Sequence, residues 1–135
     1  AIIHQSDCFE TLQRAREDGL IRAYGMSTKT VAGGLLTLRH ADIVMVTLNP
    51  STTQDSEVID AAHKQQKGVL IKKALDSGHV LTAKPEESVA TQDPVQNSLD
   101  FIFAKAGVGA VIIGSITPQH IQHNIDCAIR AATTY

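Results

Sequence analysis

The stretch from Val111 to Asn124, VIIGSITPQHIQHN, holds the densest set of residues with chemical potential in the chain. A mostly β-branched apolar run ends at Gly114, a short polar turn follows, and Thr117-Pro118 opens a helix with Ile121, Ile125, Ala128 and Ala132 on one face. A helix that starts at the C-terminal end of a parallel strand presents unpaired N–H groups and the positive end of its dipole, which suits a phosphate. His120 and His123, three apart on that helix, have the spacing of a metal-ligating pair. The sequence places no third ligand near them, so they read as an exposed helical face and no metal site is expected. Gly25-Met26-Ser27 lacks the second glycine of a nucleophile elbow. Cys8 and Cys127 fall in helical patterns among apolar neighbours, a poor setting for a catalytic thiolate.

The elements that must position these residues alternate along the chain. Ala1-Ile2-Ile3 reads as the tail of an apolar strand that His4 ends, and so abrupt an opening leads us to expect that chain is missing before it. Asp7 with Glu10 three residues later makes a capping pattern for a first helix on Phe9, Leu12 and Ala15, which Gly19 ends. Ile21 to Met26 is the second strand, closed by Ser27-Thr28-Lys29. A helix follows on Val31, Leu35 and Leu38. The strand Ile43 to Leu48 is nearly all apolar, as expected of a strand buried on both faces, and stops at Asn49-Pro50. Asp55 or Ser56 caps a helix with Val58, Ile59 and Ala62 inward, and Gly68 ends it. Val69-Leu70-Ile71 begins the fourth strand, which runs into Lys72-Lys73. His79 to Gln92 reads as a long loop. Asp93-Pro94, with Gln96 at the third helical position, starts a helix bearing Val95, Leu99, Ile102 and Phe103.

Strand and helix thus alternate through five strands, with connections too long for hairpins, which argues for an α/β fold with a parallel sheet covered by helices. A doubly wound sheet and a (βα)₈ barrel both fit. The length of 135 residues favours the former on pattern alone, since a full barrel needs about 250. Neither GxGxxG after a first strand nor GxxxxGK[ST] is present. The 43% apolar content supports one packed domain spanning residues 1–135, with no run long enough to span a membrane. A net charge of −2, no Lys/Arg cluster, and 4% aromatics without Trp exclude the usual nucleic-acid binders. Two widely spaced cysteines outside any CxxC pattern suggest reduced thiols in a cytoplasmic protein.

The runs LQRAREDGLIRAYGMST, ADIVMVTLN, EVIDAAHKQQKGVLIKKALDSG, SLDFIFAKAGVGAVIIGS and PQHIQHNIDCA together resemble the C-terminal half of the aldo-keto reductases, in the family's order and spacing. The resemblance covers nearly the whole chain. It implies strands four to eight of a (βα)₈ TIM barrel, with the first three strands absent, and NADP(H) as cofactor. In that family a Tyr, tuned by a Lys and an Asp, protonates a carbonyl oxygen that receives hydride, and a His at the end of strand four orients the substrate. Only His4 of this tetrad is present, in a matching Ile2-Ile3-His4 context.

The cofactor contacts that the resemblance implies are distributed over the remaining strands. Ser27-Thr28 corresponds to the family's Ser-Asn pair on the nicotinamide carboxamide, with Thr in place of Asn. Met45 stands where the family usually keeps a Gln for the same amide. Lys73-Ala74-Leu75-Asp76-Ser77-Gly78 resembles the loop after strand seven that wraps the pyrophosphate, with Ala74 replacing Pro. Lys72 and Lys73 at the strand end add positive charge, although Lys72 reads equally well as pointing to solvent. Gly114, Ile116, His120, His123 and Asn124 fall where relatives bind the adenosine 2′-phosphate and adenine. Those relatives often have Ser, Gln or Arg, and Glu at the positions of Ile116, His120 and His123.

A half-barrel exposes two unpaired edges and an inner face meant for packing. Its expected partners are the missing N-terminal half or a second copy of itself, together with a small carbonyl substrate. Two functions follow from the resemblance. One is an NADP(H)-dependent aldo-keto reductase of which this chain is the cofactor-binding half, inactive alone because the proton donor is absent. The other is a non-catalytic nucleotide-binding or regulatory module of the same ancestry.

Overall fold

The computed structural model describes residues 7–76 and 93–134. Over that span the chain runs α1 (Cys8–Glu17), β1 (Gly25–Ser27), α2 (Val31–Thr37), β2 (Ile43–Thr47), α3 (Ser56–Lys64), β3 (Gly68–Lys72), α4 (Pro94–Phe103), β4 (Ala110–Val111) and α5 (Pro118–Ala132). The four strands form one parallel sheet in the order β1-β2-β3-β4. Sequence neighbours are sheet neighbours throughout. A doubly wound sheet reverses its strand order at a switch point, whereas a sheet that always steps the same way winds as a (βα) barrel does. The expected opening strand at Ala1 to Ile3 and the loop from His79 to Gln92 lie outside the described residues. No described helix is long and apolar enough to cross a membrane.

One face of the sheet is sealed and the other is not. Val44, Val46, Val69 and Ile71 are fully buried against Leu38, Val58, Ile59 and Ala62 of the covering helical layer. The alternate residues, Ile43, Met45 and Thr47 on β2 with Leu70 and Lys72 on β3, are only half-buried. The apolar run at Ile43 to Leu48 is therefore not buried on both faces as its composition suggests. Its second face lines the lumen side of a barrel that four strands do not close.

Several local expectations change for identifiable reasons. The second strand starts at Gly25 rather than Ile21, because Tyr24 spends its N–H on Asp42 Oδ2 (3.2 Å) and its carbonyl on the amides of Asp42 and Ile43. Asp7 sits at the N-cap of α1 without a side-chain cap bond, so the capping pattern with Glu10 is not realised. Gly19, in contrast, ends that helix at φ +74, with Gly19 N–H bonded to the Arg16 carbonyl and Leu20 N–H to that of Ala15, a Schellman closure. α3 ends earlier than expected. Gln66 adopts φ +55 to reverse the chain, and Gly68 is already the first residue of β3. Gln96 does not reach back to its cap; it bonds Asp100 and the Cys127 carbonyl, tying α4 to α5.

The largest correction concerns α5. Ile121 and Ile125, expected to face the core, are 43% and 47% exposed, and Ala132 is exposed as well. The helix instead buries Cys127 and Ala131 against Val95 and Leu99 of α4. Small side chains at the contact let the two helices approach closely. Ile121 and Ile125 line an open groove of about 480 Å³ along the free edge of β4, with Gly109, Ala110 and Val111.

Gly25 is the tightest point of the sheet: a Cβ there would stand 2.2 Å from the backbone carbonyl oxygen of Ile43. Gly25→Ala is expected to destabilise the fold by about 1–3 kcal/mol or more. Gly114→Ala, where nothing lies within 4 Å, should shift stability by less than about 0.5 kcal/mol. Equal urea midpoints for the two variants would contradict this placement of β1.

Candidate functional site

The C-terminal ends of parallel strands and the loops that follow them are where this architecture places its chemistry. At the ends of β3 and β4 a cleft of about 310 Å³ opens, walled by Leu75, Asp93, Val95, Ile113, Gly114, Ser115, His120, His123 and Asn124. Five residues singled out in the sequence, Leu75, Gly114, His120, His123 and Asn124, therefore meet in one place. Thr117 caps α5 without a side-chain bond and Pro118 has no N–H, so the first uncapped amides are those of Gln119 and His120, of which His120 lines the cleft. Ile116 does not join them; it is 99% exposed.

A second group gathers on the open face of the sheet. Ser27 and Met45 pair in register and share a hollow of about 200 Å³ with Gly25, Ile43 and Leu70. Lys72 does not point to solvent. Its ammonium donates to Ser27 Oγ at 2.9 Å and to the Thr28 carbonyl at 2.6 Å, bridging β3 to β1 across the lumen face. Thr28 is buried, its N–H donates to the Met45 carbonyl, and its Oγ1 has no hydrogen-bond partner among the described residues. His4 and Ser77 lie outside the described residues.

The loop after β3 is held by Asn49, which reads in the sequence only as the end of a strand. Asn49 is fully buried, donates from Nδ2 to the Lys73 carbonyl at 2.9 Å, and accepts the Ser51 amide on Oδ1. This fixes Lys73 at φ +55 and Asp76 follows at φ +46, conformations that L-residues rarely adopt unsupported. The Lys73 side chain is exposed, and Asp76 N–H closes the turn onto the Lys73 carbonyl. Ala74, in place of the family's Pro, is buried and its carbonyl accepts Ser98 Oγ at 2.6 Å, docking the loop onto α4.

Asp93 and Cys127 were also missed as neighbours of His123. Asp93 Oδ1 caps α4 by accepting the Val95 amide, while Oδ2 lies 2.7 Å from His123 Nε2 and 3.4 Å from Cys127 Sγ. Burial pushes the Asp93 carboxyl up, but the bonds from the Val95 amide and Cys127 and the charge of His123 outweigh it and hold the group below its ordinary value. Burial, reinforced by Asp93, pushes the Cys127 thiol up. Both cysteines are free, Cys8 exposed and Cys127 buried.

An open arc of parallel strands in sequence order, helices on one face and a cleft at the strand ends, is half of a (βα)₈ barrel. Solved structures bear this out. A Pseudomonas aeruginosa protein assigned as an aldo-keto reductase is 40% identical over 96% of this chain, with a TM-score of 0.80. An aldo-keto reductase from Bacillus halodurans, in its holo form, matches 89% of the chain at 15% identity and a TM-score of 0.77, which supports the fold alone. The chain is related to the aldo-keto reductases over nearly its whole length. It spans 46% of the Pseudomonas chain and 49% of the Bacillus one, about half of each. No family model and no curated protein matches it.

Removing the Asn49 amide takes one of two donors from the Lys73 carbonyl, which keeps the Asp76 N–H, and loosens the positive-φ turn. Asn49→Ala is expected to cost about 1–3 kcal/mol in urea denaturation. A change below about 0.5 kcal/mol, the range of an ordinary surface substitution, would show that Asn49 does not hold the loop.

Proposed function

We propose that this chain supplies the cofactor-binding half of an NADP(H)-dependent cytoplasmic oxidoreductase that reduces aldehydes or ketones to alcohols. The observation that carries this reading is the convergence of Leu75, Gly114, His120, His123 and Asn124 on one cleft at the start of α5. The donor set fits a phosphorylated nucleoside. Free helix-start amides and two imidazoles suit a phosphate, and Asn124 offers both a donor and an acceptor to a base edge. At about 310 Å³ the cleft takes one end of a dinucleotide, near the lower limit of small-molecule sites.

The other end is assigned to the lumen face. Lys72 donates to Ser27 Oγ, which leaves the serine's own proton free for a carboxamide oxygen. Thr28, buried and outside the hollow that Ser27 lines, holds the strand end and offers the nicotinamide no exposed side-chain donor in place of the family's Asn. Met45, a weak acceptor, contributes packing rather than a hydrogen bond. When bound, the cofactor supplies hydride; the residues described here bind and orient it. The carbonyl substrate, and the His4 that would orient it, belong to the same proposal. The two free thiols fit a reducing compartment.

Fluorescence titration of the full protein tests this. A charge-assisted bond to the 2′-phosphate contributes about 1.5–3 kcal/mol, so NADPH should bind roughly 10–100 times more tightly than NADH. His123→Ala should erase much of that preference. Equal affinity for the two cofactors would sink the assignment of the cleft. Binding without carbonyl-dependent oxidation of NADPH would instead favour the nucleotide-binding module over the enzyme.

A further inference from the structure

Of the three groups at the back of the cleft the dinucleotide reading uses only His123, and their joint geometry points to a second ligand. His123 and Cys127 lie one helical turn apart on α5, and Asp93 reaches them from the N-cap of α4. Their ligand atoms all fall within 4.8 Å of one another: Asp93 Oδ2 to His123 Nε2 is 2.7 Å, Asp93 Oδ2 to Cys127 Sγ 3.4 Å, and Cys127 Sγ to His123 Nε2 3.6 Å. We propose that Asp93, His123 and Cys127 form a binding site for a divalent zinc-type cation.

Imidazole, thiolate and carboxylate are the ligand types such ions select. With metal–nitrogen and metal–oxygen bonds of about 2.0–2.2 Å, metal–sulfur of about 2.3 Å and tetrahedral angles, sulfur should stand roughly 3.5 Å from each of the other two ligands. Both observed sulfur separations meet that requirement. The nitrogen–oxygen separation is that of a hydrogen bond and must open by about 0.6 Å on ligation. His123, whose side chain is 49% exposed, has room to move.

The surroundings are those of a ligand set. Asp93 Oδ1 is fixed by the Val95 amide, so only Oδ2 is presented. Cys127 Sγ accepts from Arg130 Nη2 at 3.1 Å, and Arg130 is held in turn by Gln96 Oε1. Donors of this kind around a thiolate orient and stabilise it. The thiolate and carboxylate together balance a divalent charge. On binding, the Cys127 proton leaves to solvent and neutral His123 carries its N–H on Nδ1. Asp93 and His123 line the cleft, so the fourth position opens toward it, where His120 also stands.

The test is a Co(II) titration of the full protein in a Cys8→Ser background, which removes the exposed thiol. The expected result is a near-ultraviolet thiolate-to-Co(II) charge-transfer band that Zn(II) abolishes by displacement and that Cys127→Ser eliminates. His123→Gln, a half-exposed position where the fold is not at stake, should weaken Zn(II) binding by at least about tenfold, the low end of what even an outer-shell change costs. No band at saturating Co(II), a band that survives Cys127→Ser, or unchanged Zn(II) affinity in His123→Gln would each overturn the proposal. Should Cys127→Ser fail to fold, His123→Gln decides alone.

Discussion

The structure depends on a sheet that is sealed on one face only. Parallel strands alternate their side chains, so Val44, Val46, Val69 and Ile71 can be buried under the helices while Met45, Leu70 and Lys72 turn to the other side. The sealed face supplies the hydrophobic stabilisation of the arc. The open face and the strand ends are then free for chemistry. Lys72 can bridge to Ser27, and the loops after β3 and β4 can shape a cleft, because neither group is needed in the core. Both edges of the described sheet are unpaired, which accounts for the short β1 and β4 and for the groove beside Ile121 and Ile125.

Element order and type were legible in the sequence because long apolar segments with a clear period and punctuating Gly and Pro are local signals. Gly19 and Thr117-Pro118 mark helix limits as expected. Burial was less legible. A nearly all-apolar strand such as Ile43 to Leu48 looks the same whether its second face meets helices or a lumen. The isoleucine row of α5 has the period of a core face, yet it borders an edge that has no strand beyond it among the described residues. Periodicity reports which residues share a face and does not report what covers that face.

The candidate site divides in the same way. Gly114, His120, His123 and Asn124 are close in sequence, and their convergence follows from one strand-turn-helix unit. Leu75 joins them because the fold brings the end of β3 beside β4. Asn49, Asp93 and Cys127 were not legible, since each acts on a partner distant in sequence: Asn49 on Lys73, Asp93 on His123, and Cys127 on Asp93. Asn49 had a visible trace in the Asn-Pro step that ends its strand. Nothing local distinguished Cys127 from a packing residue, and only the pairing of α4 with α5 sets its sulfur beside two other polar groups.

In the proposed function the cleft at the start of α5 receives the phosphorylated adenosine end of a dinucleotide. Backbone amide chemical shifts of the full protein, titrated with adenosine 2′-monophosphate and separately with adenosine, test it most directly. The nucleotide should move the amides of Gly114, Ser115, His120, His123 and Asn124 and leave Ser27 and Met45 in place, with adenosine alone giving weaker shifts at the same positions. Shifts centred on the lumen face, or no difference between nucleotide and nucleoside, would contradict it.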